Sequence, residues 1–270
     1  MQVSLFRVSR HAFLLALALA ACGPPENTVP VLCYHSVLRP HEKRERLHIE
    51  YALFRSHLAR FQQAGFETIT TDDLKAAIED GTPLPPKPIM LTFDDGIEDF
   101  HEIVLPLLRE FQMKAVAFVV PSLTGLAVKP PKWAVIARGE RFMSWAQLAR
   151  LARSGIVKIE SHTLTHQSVY AGNDFQRRLE FVVSKVLLEQ RLGVSIHALA
   201  YPYGAEGDYT PLTATPLGQT GYTFGFTTFS GRFNVGAAER RDPAGLYNAP
   251  RIWIHSDDSA DDICNRLGDC

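Results

Sequence analysis

The stretch that decides the fold is Pro88-Ile89-Met90-Leu91-Thr92-Phe93-Asp94-Asp95-Gly96, residues 88–96. Its nearly continuous apolar run predicts a strand buried on both faces, as in a parallel sheet. Where the run ends, the side chains of two neighbouring carboxylates diverge in extended or turn backbone. Asp94 and Asp95 can therefore divide the work, one binding a cation and the other handling a proton. The alternative is an Asp-Asp-Gly turn with solvated charges.

Similar apolar runs recur along the chain on both sides of this strand. They are Val29–Tyr34, Ala115–Val120, Ile156–Glu160, His197–Tyr201, Thr223–Thr227 and Arg251–Ile254. Helical patterns separate them, which predicts βα units around a parallel sheet. Seven or eight such strands in a chain of 270 residues indicate an α/β barrel.

Three segments between the strands have helical spacing and clear end signals. They are Tyr51–Ala64 before Gly65, a helix opened by the capping box Ser144–Gln147 and ending before Gly155, and Phe175–Leu192 before Gly193. Two stretches with few periodic residues predict loops over one face of the barrel, namely Pro121–Phe142 and Tyr203–Leu217. Three histidines, His41, His48 and His57, are expected to face solvent.

A second motif, Ser161-His162-Thr163-Leu164-Thr165-His166, follows another strand. On a helical turn, imidazoles four residues apart share one face, so His162 and His166 can reach one ion. Together with Asp95 they make a three-ligand site that leaves positions for water and substrate. A chance pair of surface histidines is the alternative.

Further polar or special groups stand at the ends of other strands. They are His35, the turn Pro202-Tyr203-Gly204, and His255. In βα barrels the working residues lie on the loops after the C-terminal ends of the strands. These groups are therefore expected to converge on one pocket with the two motifs above.

The motifs TFDDG (92–96), SHTLTH (161–166) and YPYG (201–204) resemble those of carbohydrate esterase family 4, the NodB-like polysaccharide deacetylases. The resemblance covers the chain from Val29 to about His255. It implies a distorted (β/α)7 barrel and a divalent metal. It also implies a hydrolase acting on C–N bonds other than peptide bonds, which removes N-acetyl groups from amino sugars.

The resemblance also implies roles for individual residues. Asp94 is the general base, and the metal ligands are Asp95, His162 and His166. Zinc suits this ligand set best, and cobalt, nickel and iron also fit it. In the turn of Pro202 and Tyr203, the Tyr203 N–H stabilises the oxyanion of the reaction. The same turn can also be rigid structure with a packed aromatic ring.

The opening Pro30-Val31-Leu32-Cys33-Tyr34-His35-Ser36 resembles the branch of this family that acts on poly-β-1,6-N-acetylglucosamine in biofilm matrices. In that branch the motif order is circularly permuted, and the N-terminal Tyr-His supplies the general acid. This implies His35 as the acid, with His255 as the rival. The third motif lacks its usual Arg, so Arg251 is the candidate that keeps Asp94 ionised. Pairing of Arg251 with a structural carboxylate is the alternative.

The N-terminus predicts an exported lipoprotein. Basic residues precede the apolar run 12–21, and Leu19-Ala20-Ala21-Cys22-Gly23 resembles a lipobox in which Cys22 is acylated. The predicted organisation is a signal peptide over residues 1–22, a tether over 23–28 and a deacetylase domain over 29–270. An ordinary cleaved signal peptide is the alternative. The periplasmic face of a bacterial membrane is expected, and Gly23 favours the outer membrane over the inner.

Composition narrows the partners. A formal net charge of −1 and a pI near 6.8 give no reason to expect nucleic acid, and no nucleotide cofactor is expected. The expected partners are a polysaccharide, of the poly-N-acetylglucosamine kind, and the membrane through the lipid anchor. Peptidoglycan or chitin oligomers are the alternative substrates, and an inactive glycan-binding lipoprotein is the alternative function.

Export places the cysteines in a compartment that permits disulfides. Cys264 and Cys270 are close enough in sequence to close a small loop, and the sequence leaves open whether they are bridged. Cys33 lies inside an apolar run and is expected to be a buried free thiol.

Overall fold

The computed structural model describes residues 27–39, 46–126, 141–205, 208, 211–268 and 270. The predicted signal peptide with Cys22, most of the tether, His41 and most of the loop at 121–142 lie outside the described residues. Within the described residues, no helix is both long enough and apolar enough to cross a bilayer.

Short strands and helices alternate through most of the chain. The strands are β1 (Thr28–Tyr34), β2 (Ser36–Leu38), β3 (His48–Glu50), β4 (Glu67–Thr68), β5 (Pro88–Phe93), β6 (Ala115–Val119), β7 (Val157–Ser161), β8 (Ala198–Ala200), β9 (Phe224–Phe226), β10 (Arg232–Asn234) and β11 (Ile252–Trp253). The α-helices are α1 (Tyr51–Gln63), α2 (Thr71–Asp80), α3 (Leu105–Glu110), α4 (Trp145–Ala152), α5 (Asp174–Leu192), α6 (Pro211–Gln219), α7 (Val235–Glu239), α8 (Pro243–Tyr247) and α9 (Ala260–Leu267). A π-helical turn at Phe100–Val104 precedes α3, and a 3₁₀ turn at Pro121–Leu123 follows β6.

In the described residues, seven parallel strands form a ring whose two ends are linked, and the short β4 pairs in parallel with the start of β5. β1, β5, β6, β7, β8 and β9 pair in that order, and β11 pairs with the other edge of β1. Phe226 at the end of β9 bridges to Ala249, just before β11, and the Ala249 N–H donates to Gly225 O at 2.8 Å. The sheet is thus the distorted (β/α)7 barrel that the sequence predicts. β10 adds an antiparallel pairing at the start of β1.

The alternation of side chains along the strands separates two apolar layers. Inward-facing residues such as Val31, Met90 and Phe226 fill the barrel, and Leu74 and Ile78 of α2 pack against them. Outward-facing residues pack against the surrounding helices in a second, larger layer. Burying one large apolar side chain contributes roughly 1.5–3 kcal/mol. The barrel interior is therefore a packed core.

Several expected boundaries are confirmed. The strand at Pro88–Phe93 has the predicted bounds. In the capping box of α4, the Gln147 N–H donates to Ser144 Oγ at 3.3 Å and the Ser144 N–H donates to Gln147 Oε1 at 2.7 Å. Gly193 ends α5 in the left-handed conformation, with φ 68°. These local signals act within one turn of chain, so tertiary packing has little room to override them.

Two expectations were wrong. The stretch Tyr203–Leu217, predicted as a loop, contains the beginning of α6, whose Pro216 and Gly218 hide the helical pattern. His48 and His57, predicted to face solvent, are buried. Polar partners explain the burial of His57, since its Nδ1 lies 3.2 Å from the Tyr34 hydroxyl and its Nε2 donates to Asp258 O at 2.8 Å.

The described residues contain one disulfide and one free thiol. Cys264 and Cys270 are bridged, which settles the pairing that the sequence leaves open. Cys33 is a buried free thiol, as predicted.

Candidate active site

The two adjacent aspartates point in different directions, as the sequence predicts. Asp94 continues the inward alternation of β5, and its N–H donates to Tyr34 O at 3.0 Å. Asp95 has φ 73° and is followed by Gly96 at φ 76°, so the chain turns sharply at this point. Aspartate tolerates the left-handed region better than most residues, and glycine adopts it freely. The turn sends the Asp95 carboxylate toward the loop after β7.

Asp95, His162 and His166 meet at one point. Asp95 Oδ1 lies 3.4 Å from His162 Nε2 and 3.3 Å from His166 Nε2, and all three residues are buried. One ligand atom from each lies within 4.8 Å of the other two. The structure therefore brings together the three residues predicted as metal ligands.

The chemistry of this donor set fits a cation. His162 Nδ1 donates to Ala200 O at 2.8 Å, so the neutral ring turns the lone pair of Nε2 toward Asp95. Asp95 Oδ1 is buried and accepts no hydrogen bond from the residues that the structure describes. Lone pairs that converge without a donor repel one another, and a positive ion between them removes the conflict. Two imidazoles and one carboxylate suit zinc and related metals.

The His162–His166 segment is not the helical turn that the spacing suggested. Thr163 and His166 both have φ 63°, and the His166 N–H donates to Thr163 Oγ1 at 3.1 Å. Glu180 of α5 holds the segment from outside, accepting from the Thr165 N–H at 2.9 Å and from Thr165 Oγ1 at 2.6 Å. The two imidazoles still converge, with ring centroids 4.9 Å apart, through a folded loop.

Arg251 forms a bidentate ion pair with Asp94 inside the barrel. Its Nη1 and Nη2 donate to the two Asp94 carboxylate oxygens at 2.7 and 2.8 Å, and its Nε donates to Thr227 O at 2.9 Å. Both side chains are almost fully buried. Burial alone would raise the pKa of Asp94, but the Arg251 guanidinium, together with the His162 and His35 rings, outweighs it and lowers the pKa to about 2. Asp94 is therefore a carboxylate at neutral pH.

The two candidate acids lie in different surroundings. His35 offers a ring nitrogen within 4.8 Å of an Asp94 oxygen, and burial lowers the pKa of its imidazole. His255 lies beyond Trp253, whose ring centroid is 5.9 Å from each of the two imidazole rings. His255 Nε2 accepts from Arg46 Nη2 at 3.2 Å. His35 thus lies beside Asp94, whereas His255 is hydrogen-bonded to Arg46.

The Pro202-Tyr203-Gly204 turn is fixed at the mouth of the barrel. Tyr203 has φ 63°, and its ring centroid lies 5.2 Å from that of His166. Thr228 holds the turn, because its N–H donates to Gly204 O at 2.8 Å and its Oγ1 donates to Tyr203 O at 2.9 Å. A Cβ at Gly204 would approach the Thr228 N at 2.9 Å, so glycine is required for this contact. Pro202 is buried beneath the turn.

Backbone strain concentrates at this site. Seven non-glycine residues in the described chain have positive φ, and four of them belong to the segments above. They are Asp95, Thr163, His166 and Tyr203. Strain of this kind persists only where surrounding contacts enforce it, and it is commonly found at functional sites.

Sequence reasoning missed two contacts of the Asp94 pair. Cys33 Sγ donates to Asp94 Oδ2 at 3.6 Å, and Arg251 Nη1 also lies 3.3 Å from Thr92 Oγ1. The alternation of side chains along a strand could have predicted these contacts. It puts Cys33 on the same face as His35, and Thr92 on the same face as Asp94. Glu180, which holds the histidine loop, gave no such signal.

A βα barrel with buried acidic, basic and imidazole side chains gathered at the C-terminal ends of its strands is the arrangement of a barrel enzyme. Residues 81–225, just over half of the chain, match the family described as polysaccharide deacetylase. The chain belongs to the polysaccharide deacetylase family.

Individual proteins are similar over most of the chain. The poly-β-1,6-N-acetyl-D-glucosamine N-deacetylase of Escherichia coli strain K12 is 25% identical over 272 residues, covering 90% of this chain but 39% of that protein. The chain thus spans about two fifths of the length of this curated relative. The de-N-acetylase from Aggregatibacter actinomycetemcomitans has a TM-score of 0.75 at 21% identity and covers 89% of this chain and 100% of its own. The Streptococcus pyogenes deacetylase PplD in complex with acetate has a TM-score of 0.71 at 23% identity, and the match covers 89% of this chain and 98% of that one. These two structures share the fold.

Proposed function

We propose that this deacetylase is metal-dependent and removes acetyl groups from N-acetylglucosamine residues of an exopolysaccharide of the poly-β-1,6-linked kind. The observation that carries the proposal is the convergence of Asp95, His162 and His166 beside an Asp94 carboxylate left outside the group. The name of the E. coli relative and the Tyr34-His35 opening support the choice of polymer.

In the proposed reaction the protein residues divide the proton transfers. Asp95, His162 and His166 would hold a divalent cation, which would supply Lewis-acid polarisation of the acetamide carbonyl. Asp94 Oδ2, 3.9 Å from His162 Nε2, accepts the proton of the water that attacks the carbonyl carbon. Arg251 keeps this carboxylate ionised and fixes its direction.

Breaking the C–N bond needs a proton on the departing amine. His35, beside Asp94, donates it, so that acetate and a free amine are formed. The Tyr203 N–H lies in the strained turn next to His166 and donates to the oxyanion that develops on the former carbonyl oxygen.

A glycan panel tests the function. Acetate release is measured from β-1,6-linked N-acetylglucosamine oligomers, peptidoglycan fragments and chitin oligomers, with and without chelator. Release is expected from the β-1,6-linked oligomers, with loss on chelation and in Asp94→Asn. Equal or greater release from the other glycans would move the substrate to peptidoglycan or chitin. Binding of glycan without release under any divalent metal would favour the glycan-binding lipoprotein.

The acid assignment has its own comparison. His35→Gln is expected to lower kcat by about two to four orders of magnitude, the range for loss of a general acid. His255→Gln, the matched control, is expected to retain most activity. The opposite ranking would assign the acid to His255.

We also propose that Cys22 is acylated and holds the enzyme at the periplasmic face of the outer membrane. The lipobox resemblance at residues 19–23 supports this. The protein is expected in the outer-membrane fraction when expressed with its N-terminus, and Cys22→Ser is expected to release it into the soluble periplasm. Equal fractionation of both forms would contradict the anchor.

A further inference from the structure

A second group of metal-ligating atoms lies beside the first. Cys33 Sγ, a ring nitrogen of His35 and a carboxylate oxygen of Asp94 lie within 4.8 Å of one another. Cys33 and Asp94 are buried, and His35 is partly exposed. None of these three residues belongs to the Asp95 group, so the two sets of ligands do not compete for side chains.

Two neighbouring strands build this group. β1 and β5 pair in parallel, with Cys33 opposite Thr92 and Tyr34 opposite Phe93. Residues two apart on a strand face the same side, so Cys33 and His35 both face the interior of the barrel. Asp94 follows β5 at the level of His35. The geometry is thus held by the sheet and does not depend on a mobile surface loop.

The ligand atoms have unused capacity. His35 Nδ1 is buried and has no hydrogen-bond partner among the described parts of the chain. Arg251 donates once to each Asp94 oxygen, and a carboxylate has about four acceptor positions, so further lone pairs remain. Cys33 makes only a weak contact to Asp94 Oδ2, at 3.6 Å. Thiolate, imidazole and carboxylate together suit thiophilic divalent ions such as Zn²⁺ and Cd²⁺.

We propose that Cys33, His35 and Asp94 form a second, inhibitory site for a thiophilic divalent cation. The ion replaces the thiol proton of Cys33, which leaves to solvent, and a metal–sulfur bond forms. Arg251 already neutralises Asp94, so this site binds more weakly than the Asp95 group. Occupancy engages Asp94 and His35, so excess metal inhibits deacetylation. Only this last consequence rests on the proposed function.

A cadmium titration tests the site directly. All samples carry Cys22→Ser, so that Cys33 is the free thiol, Cys264 and Cys270 being bridged. The full chain is expected to bind two equivalents of Cd²⁺, the second with the ultraviolet charge-transfer absorption of a cadmium–thiolate bond. Cys33→Ser is expected to lose the second equivalent and the absorption while keeping the first. Asp95→Asn is expected to lose the first and keep the absorption.

His35→Gln provides a check if Cys33→Ser fails to fold. Loss of one ligand is expected to weaken the second equivalent about tenfold or more, a change of about 1.4 kcal/mol. One bound equivalent without charge-transfer absorption in the parent chain would overturn the proposal, and so would absorption that persists in a folded Cys33→Ser. If the absorption appears in a protein that releases no acetate from any glycan, the second site stands and the proposed function falls.

Inhibition is the remaining readout. Acetate release by the parent is expected to fall when Zn²⁺ exceeds one equivalent, and Cys33→Ser is expected to need at least about tenfold more Zn²⁺ for the same fractional loss. Identical inhibition curves for the two proteins would contradict the inhibitory role. The cadmium titration would then decide alone whether the second metal site exists.

Discussion

Asp94 and Arg251 depend on each other because both charges are buried. Taking a carboxylate and a guanidinium out of water costs several kcal/mol per ion, and the paired geometry repays it only while both partners are present. The pair thus supports the barrel as well as the proposed chemistry.

Removing one partner should show this dependence. Arg251→Met is expected to lower the free energy of unfolding by about 3–5 kcal/mol, because it leaves a buried carboxylate without its partner. The double variant Asp94→Asn/Arg251→Met is expected to recover part of the loss. Equilibrium urea unfolding measures both. As a control, Arg266→Met, at a partly exposed pair with Asp258, should cost about 1 kcal/mol or less. A double variant as unstable as the sum of the singles would argue against coupling.

His57 makes the protein sensitive to acid. Burial lowers its pKa to about 4, against the hydrogen bond to the Asp258 carbonyl, whereas in the unfolded chain the pKa is about 6.5. As the pH falls from about 6.5 to 4, only the unfolded state takes up the proton, so stability is lost over this window. The loss amounts to roughly 3 kcal/mol. Urea unfolding as a function of pH should show a shallower slope in His57→Gln than in the parent. Equal slopes would place the acid sensitivity elsewhere.

For single residues, the sequence could predict which ionisable side chains form the candidate site, but it could not predict what surrounds each of them. Asp94, Asp95 and the two motif histidines could be predicted because their residue types are costly to bury without partners. The burial of His57 could not, since its partners, Tyr34 and the carbonyl of Asp258, lie far apart in sequence.

Among the elements, α4 shows how a local signal sets a boundary. Ser144 and Gln147 satisfy each other's backbone N–H groups at the start of the helix. Ser144→Ala is expected to cost about 1 kcal/mol of unfolding free energy, because one N–H of the first turn loses its acceptor. Thermal and urea unfolding measure the change. Ser56→Ala on the exposed face of α1 is the control and should stay within about 0.5 kcal/mol of the parent.

Elements could be predicted where their cause is local. The bounds of β5 and the start of α4 follow from residues within one turn of chain. α6 could not, because Pro216 and Gly218 normally interrupt helices and here lie inside one. The His162–His166 loop could not either, since Thr165, between its two left-handed residues, is held by Glu180 on another element.

On the scale of the whole molecule, the Asp95 group joins the end of β5 to the loop after β7. An ion that binds only the folded state stabilises it, by about 2.7 kcal/mol at a concentration one hundred times Kd. Zinc is therefore expected to raise the Tm by roughly 5 to 10 °C at that concentration. Differential scanning fluorimetry after chelation and re-addition of metal measures it. Asp95→Asn should lose the shift and His255→Gln should keep it. A shift unchanged in Asp95→Asn would place the stabilising ion elsewhere.

The barrel itself could be predicted by counting strands, because seven or eight strands alternating with helices in a chain of 270 residues match the size of an α/β barrel. The closing contact could not be located from the sequence. It depends on Ala249, an unremarkable residue whose N–H reaches Gly225 across the gap.

The ring closes through β11, late in the chain, and Arg251 immediately precedes that strand. A nascent chain therefore carries both aspartates and both loop histidines long before the guanidinium that holds Asp94 has left the ribosome. Until the final strand is released and seated beside the first, the pocket has no counter-charge and its walls are incomplete. The order of synthesis thus delays completion of the site, because an unfinished copy lacks both the last strand and the guanidinium that pairs with Asp94.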